Sequence, residues 1–550
     1  MIFITITSKL SNPTEFIGII TRRFTFVKKN SKKFHILLIV NFLNISYNTT
    51  QGDSMRLLKY LICSILSAVI LLTSLPFTAF SEEEKGTIHP FIPDVKEYYS
   101  ELEDYITEGL RERKSQIDVS DFHIPQDDII YVFRSVMFDN PDIFYVDSAF
   151  IPYDYDRLTD EIAILKPQYI FKKSKIPSYI KEFNKASEKL VDGINPSWSD
   201  FKKALIIHDR IAVNCRYYSK GLKSYTAYNV IVAHKGLCEG YSRAYSHLLS
   251  LVGVDSKTLN NEAKSHCWNL VKLNGYWYHV DVTADDPTPD VSGYVRHNFF
   301  LLTDAGMRAQ DSDIHTGYKN DITYSSQYVC NSSKYNGAFF KKITSRIVYK
   351  NGAYYYMNNN YKGKYYSALI KRGSSKKVVK VIYDSWRNSS GGRFNKSCCK
   401  LFEYGKYIYY NTKRKIIRYN PDTGNFKRIY TLPDFIGTNN IGVTCQGSTV
   451  YATRSNANMT KYYRCKTAKF YSKNKMTVLP YLKYSSKQLN KKSSFKLKVY
   501  YGSGKTVYKS SNKKIAKVSS SGRVKAKKKG SCTITAEKNG KKLKCKIRVV

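Results

Sequence analysis

The sequence has 550 residues and is 42% hydrophobic, which supports three or four domains with folded cores. The net charge of +45 is unevenly spread: residues 82–200 carry 25 Asp and Glu against 14 Lys and Arg, whereas residues 471–550 carry 24 Lys and Arg against one acid. A uniformly basic chain would indicate a nucleic-acid partner. This distribution argues against one and indicates a local anionic partner for the basic tail.

Residues 55–81 have the three parts of a secretory signal: two cations (Arg56 and Lys59), an apolar run over 61–77, and a cleavage site with small residues at 79–81. The alternative is an uncleaved membrane anchor, since the run is barely long enough to span a bilayer. We expect cleavage, because an acidic and soluble stretch follows at once. The protein is then expected to be secreted or displayed on the cell surface, with no membrane span left.

Residues 1–54 precede this signal, although a signal belongs at the start of a chain. They have no clear amphipathic period, and "QGDSM" at 51–55 could be encoded by a purine-rich ribosome-binding sequence just before an ATG. We therefore expect Met55 to be the true start and residues 1–54 to be untranslated sequence read as protein. N-terminal sequencing of the native product checks this.

Residues 82–195 form an N-terminal α+β region by their patterning. Apolar residues at helical spacing predict helices over 94–116, 125–139 and 177–191, and the second ends before Pro141. β-branched and aromatic runs predict strands over 142–151 and 161–171. A further helix is predicted over 198–214.

The stretch "HKGLCEGYSRAYSHLLSLVG" places Cys238 just after a glycine turn, at the start of a helix. Apolar or aromatic residues follow at helical spacing, at Tyr241, Tyr245, Leu248, Leu249 and Val252. A cysteine at a helix N-terminus has its thiolate stabilised by unpaired backbone N–H groups and by the helix dipole. Its own N–H could serve in an oxyanion hole, for which the sequence identifies no second donor.

Residues 265–287 read as a β-hairpin around Asn274-Gly275, the strongest short hairpin signal. With that turn, residue i faces residue 549 − i, so Asp281 lies opposite Trp268. Because strand side chains alternate between faces, His266 shares the face of Trp268 and lies within hydrogen-bonding reach of Asp281. Cys267 points to the other face. His279 pairs with Leu270, away from His266, and is interpreted as structural.

A nucleophilic cysteine requires a base and an orienting carboxylate beside it. A thiol has a pKa of about 8.5 and is mostly protonated at neutral pH. An adjacent imidazole accepts the proton, and a carboxylate on its other nitrogen holds the imidazolium. The residues thus favour Cys238 as nucleophile, His266 as base and Asp281 as the orienting acid.

The motifs G-x-C-x-G-Y-S, H-x-W-N and W-Y-x-V-D-x-T resemble those of the transglutaminase-like (papain-like) superfamily, over about residues 198–305. The resemblance implies a papain-like fold, an acyl-transfer activity on protein or peptide amides, no cofactor, and the same roles for Cys238, His266 and Asp281. Residues 82–195 are similar to the N-terminal region of bacterial members. The chain departs from the family pattern at Cys267, where Ala is common, and at Ala284, where Trp is common.

Other polar candidates receive structural interpretations. His208 and Asp209 are adjacent helical residues, which do not share a face, so packing and surface roles are expected. Cys215 and Cys267 are interpreted as buried thiols. The chain has eleven cysteines and no C-x-x-C pair, which argues against a zinc ribbon. A metal site that joins Cys238, His266 and Cys267 is disfavoured because neighbouring strand residues diverge.

Three segments in residues 316–475 share a pattern of strand, glycine turn and strand, with their glycines at Gly352, Gly405 and Gly447. The spacing suggests a blade-like repeat, with ordinary hairpins as the alternative. Three copies would not close a standard propeller.

Residues 476–550 alternate apolar residues with lysine, which predicts a small β-sandwich with one solvated, lysine-bearing face. Its "SSN…AKV…GRV…GSCTIT" pattern resembles the bacterial Ig-like group 2 domain, with Tyr508 where Trp is common. The resemblance implies a spacer or adhesive module. The lysines could bind anionic cell-wall polymers. Cys532 and Cys545 are expected to lie diagonally across a hairpin, which favours buried thiols over a disulfide.

The predicted fold class is α+β: a papain-like transglutaminase core, a β-rich hairpin-repeat region and a C-terminal Ig-like β-sandwich. The predicted domains follow the chain in this order: 1–54 spurious, 55–81 signal, 82–195 N-terminal region, 196–315 catalytic domain, 316–475 repeat-like region and 476–550 Ig-like domain. The predicted function is that of an exported cysteine-dependent acyl-transfer enzyme, with hydrolysis and amine transfer both open. The alternative is a non-catalytic adhesin or wall-binding protein that retains the fold.

Overall fold

The computed structural model of the protein describes residues 22–27, 33–38, 88–89 and 93–550, with gaps at 262–264, 311–327, 364–365, 385, 387–397, 432–437, 457–460, 473–474, 483, 502–503 and 539. The chain forms two units, Met1–Glu84 and Lys85–Val550. In the first, β1 (Arg22–Val27) and β2 (Lys33–Leu38) pair antiparallel within the segment predicted to be untranslated. The predicted signal, residues 55–81, lies outside the described residues. Across the described part of the chain, no helix combines the length and apolar composition needed to cross a membrane.

The second unit begins with a mixed layer of helices and short strands. Its elements are β3 (Ile88–His89), α1 (Pro93–Arg111), β4 (Ile117–Asp118), β5 (Ile124–Pro125), α2 (Gln126–Asp139), β6 (Tyr153–Tyr155), β7 (Glu161–Leu165) and α3 (Ile176–Val191). All three helices overlap the predicted ones. The predicted strand over 142–151 is wrong: within it only Val146 forms a bridge, with Tyr169, and residues 143–146 are buried in an irregular segment. A short apolar run in the sequence indicates a buried segment, but it does not by itself distinguish a strand from a buried loop.

A central domain follows. Its elements are α4 (Asp200–Asn214), α5 (Ala227–Ile231), α6 (Cys238–Ser250), β8 (Ser256–Asn261), β9 (His266–Leu273), β10 (Tyr276–Val280), α7 (Val282–Asp285), β11 (Phe300–Leu302) and α8 (Asp304–Ala309). The strands form an antiparallel sheet in the order β11-β10-β9-β8-β3. Helix α6 packs between β9 and α4. The apolar residues of the helix that its periodicity predicts to be buried are fully buried: Tyr241, Tyr245, Leu248 and Leu249.

The β9–β10 hairpin has the predicted register. Tyr276 pairs with Leu273 and His279 with Leu270, around a turn in which Asn274 and Gly275 both have positive φ. This is the backbone that a two-residue primed turn requires, and it explains the Asn-Gly sequence. The register fixes which side chains of β9 and β10 share a face.

The β-rich region contains three four-stranded antiparallel sheets, each with its strands in chain order. The first sheet is β12 (Val348–Lys350), β13 (Ala353–Asn358), β14 (Ser367–Arg372) and β15 (Lys376–Ile382); the second is β16 (Leu401–Tyr404), β17 (Tyr407–Asn411), β18 (Lys415–Tyr419) and β19 (Phe426–Thr431); the third is β20 (Thr438–Gln446), β21 (Thr449–Asn456), β22 (Tyr462–Ser472) and β23 (Lys475–Val478). Each sheet begins with one of the three predicted glycine-turn hairpins. The repeated unit is therefore a whole sheet.

Contacts link these sheets to the central domain in a closed series. The first sheet packs on the central domain through Tyr356 and Ile370. Hydrophobic clusters then join the first sheet to the second and the second to the third. The third sheet returns to the central domain, where the Ser292 N–H donates to Thr453 Oγ1 (2.9 Å) and Arg464 pairs with Asp290 (2.9 Å). The central domain thus closes a series of contacts that the three sheets by themselves leave open.

The C-terminal domain is a small β-sandwich. Its strands are β24 (Tyr481–Leu482), β25 (Ser486–Leu489), β26 (Ser494–Lys496), β27 (Val499–Tyr500), β28 (Val507–Ser510), β29 (Ala516–Val518), β30 (Arg523–Ala526), β31 (Gly530–Lys538) and β32 (Lys541–Val549). They form sheets β25-β32-β31-β28 and β26-β30-β29, with β24 paired to β27. Cys532 and Cys545 are offset by two residues across β31–β32, and both are free buried thiols, as expected. Tyr508 donates to the Leu497 carbonyl (2.9 Å).

Candidate active site

Cys238 is the first residue of α6 and its side chain is buried. The helix begins there because the preceding chain is extended at Leu237. Close packing fixes the position of this first turn, since a Cβ added at Gly240 would lie 2.7 Å from the Ser224 carbonyl oxygen. The sulfur lies 3.9 Å from the Ser265 carbonyl oxygen, at the entrance to β9. The first-turn N–H groups of α6 have no partners within the helix, and they are the natural stabilisers of negative charge at this point.

His266 and Asp281 meet as the hairpin register predicts. The Nε2–H of His266 donates to Asp281 Oδ2 at 2.7 Å. Asp281 is itself fixed, because its Oδ1 accepts from the Ala284 N–H (2.9 Å) and its own N–H donates to the Phe299 carbonyl (3.0 Å). Its side chain is 1% exposed, against 12% for His266. The carboxylate is thus enclosed, and the ring retains an opening to the surface.

The thiol and the imidazole have strongly shifted pKa values. Hydrogen bonding from Cys267 and then the His266 ring lower the pKa of Cys238 to about 4, although burial opposes this. Burial also disfavours charge on His266, but the Asp281 carboxylate and the adjacent Cys238 raise its pKa to about 10. Both shifts favour a thiolate–imidazolium pair at neutral pH.

Cys267 is a buried thiol, as predicted, and it lies closer to Cys238 than strand alternation alone indicates. Strand alternation put its side chain on the face away from His266, and its S–H donates to Asn260 Oδ1 of the neighbouring strand at 3.3 Å. Cys267 nevertheless lies close enough to Cys238 to lower the pKa of that thiol. The Cys238 sulfur lies at the first residues of β9, where side chains from both faces are within reach. Contact with Cys238 and burial raise the pKa of Cys267 well above its usual value, so Cys267 stays protonated.

His279 has hydrogen-bond partners on two other elements of the domain. Its Nδ1 accepts from the Trp268 indole N–H (3.0 Å), and its Nε2–H donates to Asp304 Oδ1 (2.9 Å). Trp268 in turn lies parallel to the ring of His266. Sequence reasoning placed His279 correctly opposite Leu270, but it could not identify these two partners.

A second His–Asp group lies at the base of the central domain. His208 Nδ1 and His297 Nε2 each lie 2.9 Å from Asp209 Oδ1, and His208 Nε2 lies 3.3 Å from Asp285 Oδ2. All four side chains are fully buried. The expected packing role for His208 and Asp209 agrees with this, whereas a surface role is excluded. The claim that adjacent helical residues do not meet is wrong here, since rotation of the imidazole about its side-chain bonds brings Nδ1 to the neighbouring carboxylate.

Two groups of described residues place three ligand-type atoms within 4.8 Å of one another: His208, Asp209 and His297, and His279, Asp304 and Cys330. In both groups the short N···O distances are those of hydrogen bonds between imidazole and carboxylate. Among the residues that the structure describes, Cys238, His266 and Cys267 do not form such a group. Cys215 is a buried free thiol, as expected.

Comparison with known families decides the assignment of two domains. Residues 188–282 match the family model of the transglutaminase-like superfamily, and residues 481–547 match that of the bacterial Ig-like domain (group 2). The chain therefore contains a transglutaminase-like core and a bacterial Ig-like domain. The first match spans all three candidate residues, and the mixed helix and strand fold agrees with the predicted fold class.

Three of the solved structures that are similar to this chain have a low sequence identity to it. A TGase is 12% identical and covers 26% of this chain and 46% of its own length, with a TM-score of 0.18. Domains 4 and 5 of the S-layer protein SbsC are 13% identical and cover 35% and 98% (TM-score 0.13). The extracellular domain of a one component system from B. thetaiotaomicron is 12% identical and covers 54% and 48% (TM-score 0.16). The chain thus spans less than half of the TGase. Among curated proteins, no sequence matches this chain.

Proposed function

We propose that the protein is an exported cysteine-dependent acyl-transfer enzyme that acts on peptide or side-chain amides through Cys238, His266 and Asp281. The observation that carries the proposal is the 2.7 Å hydrogen bond from His266 to an enclosed Asp281, beside a cysteine at a helix N-terminus. An acyl-cysteine mechanism requires these three groups: a nucleophilic thiol, a base beside it, and a carboxylate that orients the base.

In the proposed reaction, the Cys238 thiolate attacks the carbonyl carbon of an amide and forms a tetrahedral oxyanion. The backbone N–H of Cys238 donates to this oxygen. His266 then gives its proton to the amide nitrogen, the C–N bond breaks, and ammonia or an amine leaves a thioester on Cys238. Water or a second amine, deprotonated by His266, attacks the thioester and releases the thiolate. Asp281 holds the ring throughout and stabilises its charged form.

The test is turnover of a protein substrate such as casein by residues 82–550. Ammonia release without amine incorporation identifies a deamidase, new termini identify a peptidase, and incorporation of a fluorescent primary amine identifies amine transfer. Cys238→Ala abolishes every one of these products under the proposal. Product formation that persists in Cys238→Ala contradicts it.

Export and wall binding belong to the same proposal. The predicted signal at 55–81 and the bacterial Ig-like domain support a secreted or surface location. On β32 the alternation leaves Lys542, Lys544, Lys546 and Arg548 exposed, while Cys545, Ile547 and Val549 are buried. We propose that this face binds anionic cell-wall polymers. Retention on purified walls should fall as salt rises and should fall further in Lys544→Glu/Lys546→Glu.

The alternative, a wall-binding protein without turnover, differs in one prediction: no amide product forms with the unaltered chain. Retention on purified walls survives Cys238→Ala under both functions. Turnover of the protein substrate therefore separates the two functions.

A further inference from the structure

Trp268 is fully buried, and its indole lies almost parallel to the imidazole of His266, with ring centroids 6.0 Å apart and planes inclined by 14°. We propose that His279 and Asp304 are positioning residues that hold this indole, and through it the imidazole of His266, in the orientation that acyl transfer needs. This inference rests on the proposed function, because it assigns residues that support the same site.

The hydrogen bonds that link Trp268, His279 and Asp304 have one possible direction. An indole N–H can only donate, so His279 Nδ1 must be unprotonated to accept from Trp268 at 3.0 Å. The proton of the neutral ring then sits on Nε2, which donates to Asp304 Oδ1 at 2.9 Å. Burial lowers the pKa of His279, which keeps the ring in this neutral form. Asp304 thus selects the tautomer that can orient Trp268.

Asp304 is itself fixed to the backbone. It is the first residue of α8, its N–H donates to the Cys330 carbonyl (2.8 Å), and its Oδ2 accepts from the Cys330 N–H (3.0 Å). Thr303 caps the same helix by accepting from the Gly306 N–H. The series of contacts that runs from Asp304 to His266 therefore starts at a residue fixed outside the β9–β10 hairpin.

The indole constrains a movement that Asp281 leaves free. The bond from Nε2 to Asp281 fixes one atom of the His266 ring, but the ring can still rotate about that contact. A flat surface against its face limits this rotation and keeps Nδ1 directed to the thiol. An aromatic face also favours a positive charge stacked on it, which stabilises the imidazolium in the ion pair.

The test compares the pH dependence of iodoacetamide labelling at Cys238, mapped by mass spectrometry, in the full chain and in four variants. His279→Leu removes both hydrogen bonds, His279→Asn keeps an acceptor near the position of Nδ1, Trp268→Phe keeps a ring but removes the N–H, and His266→Ala provides the reference for loss of the base. We expect the labelling pKa to rise by about one pH unit in His279→Leu and Trp268→Phe. We expect His279→Asn to recover most of this shift.

A role in stability alone would lower the melting temperature of these variants without moving the labelling profile, and that result overturns the proposal. If His279→Leu does not fold, Trp268→Phe decides in the same way. A shifted profile in His266→Ala with unshifted profiles in His279→Leu and Trp268→Phe refutes the positioning role and leaves the proposed function intact. An unshifted profile in His266→Ala refutes the proposed function itself.

Discussion

Two of the His–Asp groups in the central domain differ sharply in their surroundings. His266 and Asp281 lie beside a cysteine, and the imidazole keeps 12% of its surface exposed. His208, Asp209, His297 and Asp285 form a second group in which no side chain has any exposed surface. The functional groups are the same, but only the first has a nucleophile and an opening for a substrate. Residue type alone therefore does not distinguish a reactive pair from a structural one.

The enclosed group links the core to the β-rich region. Asp209 accepts from two imidazoles through Oδ1 and from the Ile347 N–H through Oδ2 (2.6 Å). His297 Nδ1 bonds to the Ile343 carbonyl at 2.9 Å. Residues 343–347 lead directly into the first sheet. The enclosed group therefore holds the first sheet in place against α4, and we expect it to contribute to stability and not to catalysis.

The largest expected effect comes from Asp281→Asn. Loss of the negative charge removes the main support of the His266 imidazolium, so the labelling pKa of Cys238 should rise by one to three pH units. Turnover should fall by on the order of a thousandfold or more. The melting temperature should change little, because Asn can still cap α7. A labelling profile identical to that of the unaltered chain would show that this carboxylate does not act on the thiol.

Asp209→Asn tests the other group. It leaves two buried imidazoles facing an uncharged side chain, so the free energy of unfolding should fall by about 3–5 kcal/mol. The labelling profile of Cys238 should stay the same. Asp104→Asn, an exposed acid on α1, is the matched control and should change neither quantity. Loss of labelling in a folded Asp209→Asn variant would contradict the division into a reactive and a structural group.

Gly240→Ala tests how tightly the helix start is held. The new Cβ would lie 2.7 Å from the Ser224 carbonyl, so the first turn of α6 must shift, at a cost of about 1–3 kcal/mol in unfolding free energy. Labelling at Cys238 should also slow. Gly337→Ala is the control, since its Cβ would meet nothing within 4 Å. Equal stability of the two variants would show that α6 can move without penalty.

The pH dependence of stability tests the enclosed group. Burial opposes charge on His208, but Asp209 and Asp285 raise its pKa to about 9, above the value of about 6.5 in the unfolded chain. Its contribution to stability is therefore complete below pH 6.5 and is lost as pH rises through about 9. Over that interval this residue should lower the free energy of unfolding by about 1.4 kcal/mol per pH unit. Denaturation of His208→Gln at several pH values should show a correspondingly shallower slope.

Local patterns in the sequence were sufficient to predict part of the site. The Asn-Gly turn and strand alternation gave the register that joins His266 to Asp281, and helical spacing placed Cys238 at the start of α6. The contact between Cys267 and Cys238 could not be predicted, because alternation within a strand does not reveal how a helix approaches its end. The second His–Asp group joins His208 to Asp285, 77 positions further along the chain, and Asp209 to residues still further away, His297 and Ile347. No periodicity in the sequence connects those positions.

The most direct test of the central claim is the labelling pKa of Cys238 in the unaltered chain and in His266→Ala. An activated thiolate–imidazolium pair predicts an acidic inflection near pH 4 in the unaltered chain. In His266→Ala it predicts a large shift toward the value of about 8.5 of a free thiol. A labelling pKa of about 8.5 in both proteins would mean that Cys238, His266 and Asp281 do not act together.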